Sequence, residues 1–378
     1  EAQDLEDGQQ AMAAAEANLR QALSPHAPLD NEIRLEDHEQ RSPDTINIAT
    51  TCNQRCVFCA GYSLAPLSDE EILERVQGRR EVFFQGGEPT LNPNLFRYAR
   101  HAREHGALHV TLVTNGLRLA YADFTRKCLA AGIDQFFFAF PSHRQEVCDA
   151  MGQVPGSFAL KLRALDNLSR LGAGPGVRLI HLLTRDNFAD LAHLPRFMAR
   201  RLPAMRSLEI KLMQCLGRAR ENRRLIPSLT ELVPGLSRCL DRCDKAGIEV
   251  VVNGVPPCLV PDHAHRIMDF HMKRVTGQSV TGRRFLPACH GCPLRGGCLG
   301  VRTDYLKIYG DAEVVAARAA LGGTPTPHLP RAEAPTPRAE RQDRELGQQT
   351  RQALAGEDPV VTASALRRLL GMSGDLPS

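Results

Sequence analysis

From Thr45 onward, short runs of β-branched and aromatic residues alternate with amphipathic helical stretches, the pattern of βα units laid around a parallel sheet. The runs predict six strands, over Thr45–Thr50, Glu81–Gln85, His109–Thr114, Asp134–Phe140, Val177–Leu183 and Leu208–Met213. Two of the intervening helices open on a capping box, in which a serine side chain covers a free backbone N–H and a glutamate three residues on reaches back. Ser68 with Glu71 opens a helix over Asp69–Gln77, and Ser228 with Glu231 opens one running to about Ala246. Six such units are too few to close an eight-stranded barrel. Right-handed crossovers curl them instead into an open, partial (β/α)6 barrel of TIM-like build, with the loops that follow the strands gathered at one rim. The expected class is therefore α/β, with its chemistry at that rim.

After about residue 250 the alternation stops, and Gly254–Gly310 is rich in Pro, Gly, Cys and His, as a small metal-stapled domain would be. Residues 1–44 read as a helical extension, with a helix over about Gly8–Ala22 and a polar connector holding Pro25, Pro28 and Pro43. Residues 322–357 turn to Pro, Arg, Ala, Glu and Gln with almost no large apolar side chains, the composition of a mobile linker; a short helix over Thr362–Leu370 follows. The expected organisation is an extension (1–44), a barrel (45–250), a small Cys-rich C-terminal domain (251–321) and a tail (322–378).

Composition narrows the function. With 378 residues, 43% of them hydrophobic, the chain can bury a large core. Its 47 basic and 43 acidic residues leave a net charge of +4, too small to point to nucleic acid, and none is expected as a partner. No run approaches the 18 or so apolar residues of a membrane helix, so no membrane is expected. The acidic start, Glu1–Asp7, lacks the order of a secretory signal. Seven of the twelve cysteines fall into two spaced groups, which favours metal binding in a reducing, cytoplasmic setting over disulfides. Cys128, Cys148, Cys215, Cys239 and Cys243 read as buried structural thiols.

The first group, Cys52, Cys56 and Cys59, has the spacing C-x3-C-x2-C in the loop directly after the first strand. Three thiolates hold three irons of a cubane and leave the fourth open for another ligand. No histidine lies between Thr45 and Arg100 to complete a zinc knuckle. With Phe58 just before the last cysteine, this loop resembles the radical S-adenosylmethionine (SAM) superfamily, and Gly86-Gly87-Glu88-Pro89-Thr90 after the second strand resembles that family's GGEP segment. Thr114-Asn115-Gly116, Thr184-Arg185-Asp186-Asn187 and Gly217-Arg218-Ala219 end strands three, five and six with turns similar to those of the MoaA/PqqE-like branch. The resemblance implies a [4Fe–4S] cluster on Cys52, Cys56 and Cys59, and SAM bound near Phe58, Gly86, Gly87, Glu88, Pro89, Asn115 and Arg185. Relatives often carry a serine where this chain has Ala139, a contact that Ser142 or His143 could replace.

The second group, Cys289-x2-Cys292-x5-Cys298, has Cys258 upstream. Four thiolates suit one closed [4Fe–4S] cluster or one structural zinc, and spacing does not decide between them. His290 lies between two of these cysteines as a substitute ligand or a solvent-facing neighbour. The segment is similar to the auxiliary-cluster domains called SPASM and twitch, in a shortened form implying one auxiliary cluster. The resemblance extends over roughly Asp44 to Gly310. It implies reductive cleavage of SAM to a 5′-deoxyadenosyl radical, an external electron donor of flavodoxin or ferredoxin type, and hydrogen abstraction from a peptide or protein. A small-molecule or cofactor-precursor substrate is the alternative, and a non-catalytic iron–sulfur carrier or sensor is the reading from another class.

Overall fold

The computed structural model describes residues 45–60, 67–268 and 282–321. The expected helices near residues 8–22 and 362–370 and the linker at 322–357 lie outside them. Seven parallel strands follow one another in chain order across a single sheet: β1 (Thr45–Ala49), β2 (Glu81–Gly86), β3 (His109–Thr114), β4 (Gln135–Ala139), β5 (Val177–Leu183), β6 (Ser207–Leu212) and β7 (Glu249–Asn253). Neighbours pair in parallel throughout, with β1 and β7 at the two ends of the order and a single parallel bridge from Val252 of β7 to Ile267. The connecting helices are α1 (Asp69–Val76), α2 (Leu95–Glu104), α3 (Ala122–Ala130), α4 (Gln145–Gly152), α5 (Ser157–Arg170), α6 (Leu194–Arg201) and α7 (Leu229–Ala246). The six expected strands are all present. The seventh, with its Val250–Val252 run, extends the sheet through the boundary expected at residue 250.

Strand register divides the side chains into two faces. Ile46, Val82, Phe84, Leu112, Phe136, Phe138, Leu179, Ile210 and Val252 are at most 1% exposed and form the core; burying each contributes about 1.5–3 kcal/mol. The alternate positions Asn47, Gln85, Val113, Phe137, Ala139, Ile180, Leu182, Lys211 and Asn253 are half-buried and line up across the sheet, as Asn47 with Gln85 and Ala139 with Ile180. They form the inner wall of the partial barrel, closed at its centre by Phe83 and Phe137 in edge-to-face contact at 5.5 Å.

Both expected capping boxes form with reciprocal hydrogen bonds, Ser68 with Glu71 and Ser228 with Glu231. Helix α7 then stops at Gly247, whose φ of 62° is the left-handed cap that glycine takes without strain. The C-terminal segment adds a two-stranded antiparallel ribbon, β8 (Arg283–Arg284) with β9 (Val301–Arg302), and helices α8 (Thr303–Tyr309) and α9 (Ala312–Leu321). It is clipped to the barrel by Arg302, which is 5% exposed and donates from Nη1 to the Leu212 carbonyl and from Nη2 to the Met213 carbonyl, both at 3.0 Å. Asp304 pairs with Arg302 and accepts the Cys215 N–H at 2.9 Å. The Tyr305 hydroxyl accepts the Leu229 N–H at 2.8 Å, and that of Tyr309 donates to the Ile226 carbonyl at 2.6 Å. Among the described residues no helix is long and apolar enough to cross a membrane.

Candidate metal centres

Cys52, Cys56 and Cys59 sit half-buried in the loop leaving the C-terminal end of β1. Backbone bonds brace that loop: Arg55 and Val57 N–H donate to the carbonyls of Gly152 and Met151 at the end of α4, at 3.2 and 3.0 Å. Burial, with Cys59 adding to it, pushes the Cys56 thiol up to about 12, while the charges of Lys161 and Arg218 act the other way. Burial, then Cys56 and Glu88, likewise raises Cys52. The Gln54 N–H lies 3.4 Å and the Asn115 Nδ2 3.8 Å from the Cys52 sulfur, donors that favour a thiolate.

The GGEP segment has a structural task at this loop. A Cβ on Gly86 would lie 2.2 Å from the Ala49 carbonyl oxygen, and one on Gly87 would lie 2.2 Å from that of Thr51. The two glycines let β2 press on the start of the cysteine loop, where the Gly87 and Glu88 N–H groups donate to those same carbonyls at 2.7 Å. Glu88, 1% exposed, accepts four hydrogen bonds: from the Thr90 N–H (3.1 Å) and hydroxyl (2.7 Å), the Thr114 hydroxyl (2.6 Å) and the Asn115 N–H (2.7 Å). Pro89 opens the short 3-10 turn Pro89–Leu91 beneath it. Asn115 reaches the Asn53 side chain at 2.7 Å and so ties β3 to the cysteine loop. Phe58 packs partly buried on the core. Arg185 follows the C-terminal end of β5, where its exposed guanidinium donates to Glu231 at 2.8 Å and to the Tyr309 hydroxyl at 3.2 Å.

One residue that sequence reasoning missed stands at the centre. Lys161, on α5 and 1% exposed, donates to the backbone carbonyls of Asn115 and Ala139 at the ends of β3 and β4. Burial holds its pKa below the ordinary lysine value, with Cys148, Cys56, Glu88 and Cys52 opposing. A lysine in an amphipathic helix reads as solvent-facing, and only the approach of α5 to two strand ends reveals it. Ser142 is buried and accepts the Arg144 N–H at 3.0 Å; burial lowers the pKa of His143.

Cys258, Cys289, Cys292 and Cys298 converge on one cavity whose other walls include Pro256, Pro257, Phe285, Leu294 and Val314. Burial pushes the Cys258 thiol up to about 12, followed by Cys298, Cys292 and Cys289. His290 is exposed and takes no part in the lining. Among the described residues no three cysteine sulfurs lie mutually within 4.8 Å. Thiolate donors at both places suit an iron–sulfur cluster, and the four at the second place suit a zinc ion as well. Of the five other cysteines, Cys128, Cys148, Cys239 and Cys243 are buried and Cys215 is half-buried after β6.

Residues 46–198 match the model of the radical SAM superfamily. The 7,8-dihydro-6-hydroxymethylpterin dimethyltransferase of Methanocaldococcus jannaschii is 25% identical over 209 residues, 50% of this chain and 40% of that protein. Mycofactocin maturase MftC of Mycobacterium ulcerans is 28% identical over 157 residues, covering 39% of this chain and 41% of the relative. The PqqA peptide cyclase of Ruegeria pomeroyi is 27% identical over 205 residues, 50% of this chain and 53% of the relative. The chain thus spans about half or less of the length of the curated relatives it matches. Residues 46–198 thus form a radical SAM domain, in which a parallel sheet delivers three cysteines to its C-terminal rim, and that family implies a [4Fe–4S] cluster and SAM.

Proposed function

We propose that the protein reductively cleaves SAM at a [4Fe–4S] cluster on Cys52, Cys56 and Cys59 and starts radical chemistry on a peptide or protein. The observation that carries the reading is the loop after β1, which holds three thiols and is tied to the ends of β2 and β3 by Glu88 and Asn115. Cluster and SAM, when bound, supply one-electron cleavage of a sulfonium C–S bond and a 5′-deoxyadenosyl radical that takes hydrogen from the substrate. The chain's own residues do the rest. Gln54 and Asn115 direct N–H groups at the Cys52 sulfur, and Glu88 fixes the ends of β2 and β3 at which SAM docks. Lys161 spends two donors on carbonyls and offers its remaining N–H and its charge to a carboxylate such as that of SAM. The inner face of the sheet, with Phe83 and Phe137 at its floor, keeps water from the substrate.

Cys258, Cys289, Cys292 and Cys298 are proposed to hold an auxiliary [4Fe–4S] cluster. The peptide reading draws on the similarity to a maturase and a peptide cyclase. Anaerobically reconstituted protein given dithionite and SAM is expected to form 5′-deoxyadenosine, and replacing Cys52, Cys56 and Cys59 together with Ala is expected to abolish it. Undiminished product in that triple variant would overturn the assignment. A deuterated peptide encoded beside this chain is expected to pass its label into 5′-deoxyadenosine; a small metabolite doing so instead would remove the peptide reading and leave SAM cleavage standing.

A further inference from the structure

Helix α2 ends at the foot of the barrel, where the chain turns through Gly106 into β3, at the opposite end of the strands from the cysteine loop. Its end carries His101, Glu104 and His105, at positions i, i+3 and i+4 and so gathered on one side of the helix. One donor atom from each lies within 4.8 Å of the other two, and the two imidazole rings approach to 3.9 Å between centroids. His105 Nδ1 lies 2.8 Å from the His101 carbonyl, which also accepts the His105 backbone N–H at 3.1 Å. A carbonyl only accepts, so Nδ1 carries the proton and the Nε2 lone pair is left for another partner. His101 Nε2 is shut off from solvent and meets no hydrogen-bond partner, a state that native structures rarely leave a buried polar atom in. Arg103, the cation of the same turn, is committed elsewhere, donating from Nε to the Gly132 carbonyl at 2.8 Å and pairing with Asp134 at 2.7 Å. Glu104 and His105 are exposed and His101 is half-buried, so ions reach the three side chains from solution.

Two imidazoles four residues apart on a helix, with a carboxylate beside them, present an N2O donor set to one point. A carbonyl behind one imidazole is the arrangement that holds a metal-bound histidine in the right tautomer. The carbonyl end of a helix also carries partial negative charge, which favours a cation there. Imidazole nitrogen selects borderline ions such as Zn2+ over the oxygen-seeking Mg2+ and Ca2+. We propose that His101, Glu104 and His105 bind one Zn2+ ion, with water in the fourth position. Bonds of about 2.0–2.2 Å need only side-chain rotation to close a set already this near. The ion ties the last turn of α2 to its C-cap residue, His105, and gives His101 Nε2 the partner it lacks. Helix capping alone accounts for His105 Nδ1, but not for the unpartnered His101 Nε2 or for a carboxylate held close to both rings. At the N-terminal ends of the strands the ion holds the connection from α2 to β3 and stays apart from the chemistry at the rim.

The test is a difference titration on the full chain after anaerobic loading with iron and sulfide. Zn2+ is titrated calorimetrically into the parent and into the double variant His101→Ala, His105→Ala, and Mg2+ into both as the control. The parent is expected to bind one Zn2+ per chain that the variant binds about tenfold or more weakly, and Mg2+ is expected to separate the two proteins not at all. Zinc taken by thiols appears in both proteins and cancels in the comparison. Equal zinc binding by parent and variant would overturn the proposal. Acylation by diethyl pyrocarbonate, read by peptide mass, locates the ion in the parent without any substitution and so decides the matter even if the double variant fails to fold. Zn2+ is expected to slow acylation of His105 several-fold and to leave unchanged that of His193, exposed between β5 and α6. Acylation of His105 at the same rate with and without zinc would equally overturn the site. Neither readout involves SAM cleavage, so this site stands or falls apart from the function proposed above.

Discussion

Glu88 is the residue on which three strand ends depend. Its carboxylate takes hydrogen bonds from Thr90, Thr114 and Asn115 at 2.6–3.1 Å while 1% exposed. Glu88→Gln turns one acceptor oxygen into a donor facing a donor, so at least one buried bond becomes a clash of like polarity. Bonds to a charged group contribute about 1.5–3 kcal/mol each, and a loss of that size is expected to lower the melting temperature by roughly 4–10 °C in a domain of this size. Thermal unfolding of the cluster-free protein measures it directly; an unchanged midpoint would show that the carboxylate serves a ligand more than the scaffold. The motif containing Glu88 was legible in the sequence, but its role was not. Two of its three partner residues lie 26 and 27 positions on, at the end of the next strand. The same holds for Lys161, whose acceptors lie 46 and 22 residues away, and for Gly86 and Gly87, whose lack of a side chain makes room for the carbonyls of Ala49 and Thr51.

Among the elements, the clip between β9 and the end of β6 carries the clearest consequence. Burial pushes the Asp304 carboxyl up, but the hydrogen bonds and charge of Arg302, with the Cys215 N–H, hold it below the usual carboxylate range. A lowered folded value means that the stability it contributes is complete above the ordinary carboxylate pKa near pH 4 and is lost as pH falls through the folded value. Arg302→Leu leaves Asp304 without its cation and the Leu212 and Met213 carbonyls without donors, a loss of about 3–5 kcal/mol. The expected result is an acid-unfolding midpoint shifted to higher pH, with Arg302→Lys in between because an ammonium lacks the planar fork that spans two carbonyls and a carboxylate. If acid unfolding of the leucine variant matches the parent, the clip does not hold the C-terminal segment. Elements with local signals were legible: six strands by their runs, and α1 and α7 by capping boxes that lie within four residues of chain. The seventh strand carries an equally plain run, Glu249–Asn253, but the change of composition just beyond it draws the boundary too early. The clip has no such signal, because Arg302 meets its carbonyls 89 and 90 residues back along the chain.

At the scale of the molecule, the two cysteine sets belong to one folded body whose last described contacts lie in α9. Val314 and Arg318 of that helix line the cavity holding Cys258, Cys289, Cys292 and Cys298. Arg318 also donates to the Gly291 carbonyl at 2.9 Å, and Glu313 accepts from the Thr230 N–H at 2.8 Å and from the Tyr305 hydroxyl. No proposed ligand follows Cys298, and residues 322–357 hold almost no large apolar side chains, the composition of a stretch with little hydrophobic return on ordering. These facts separate two truncations that differ by only a few residues. A chain ending at Gly322 is expected to keep about eight irons after anaerobic reconstitution, as two cubanes require, and to cleave SAM at the parental rate. A chain ending at Gly310 loses the roof of the second cavity and the Glu313 bonds; it is expected to keep about four irons, those of Cys52, Cys56 and Cys59. Iron content with circular dichroism distinguishes the outcomes. Loss of iron already at Gly322 would place part of the tail on the core, whereas eight irons at Gly310 would show that the four C-terminal thiolates hold their cluster without α9, and that the helix serves only to shield it.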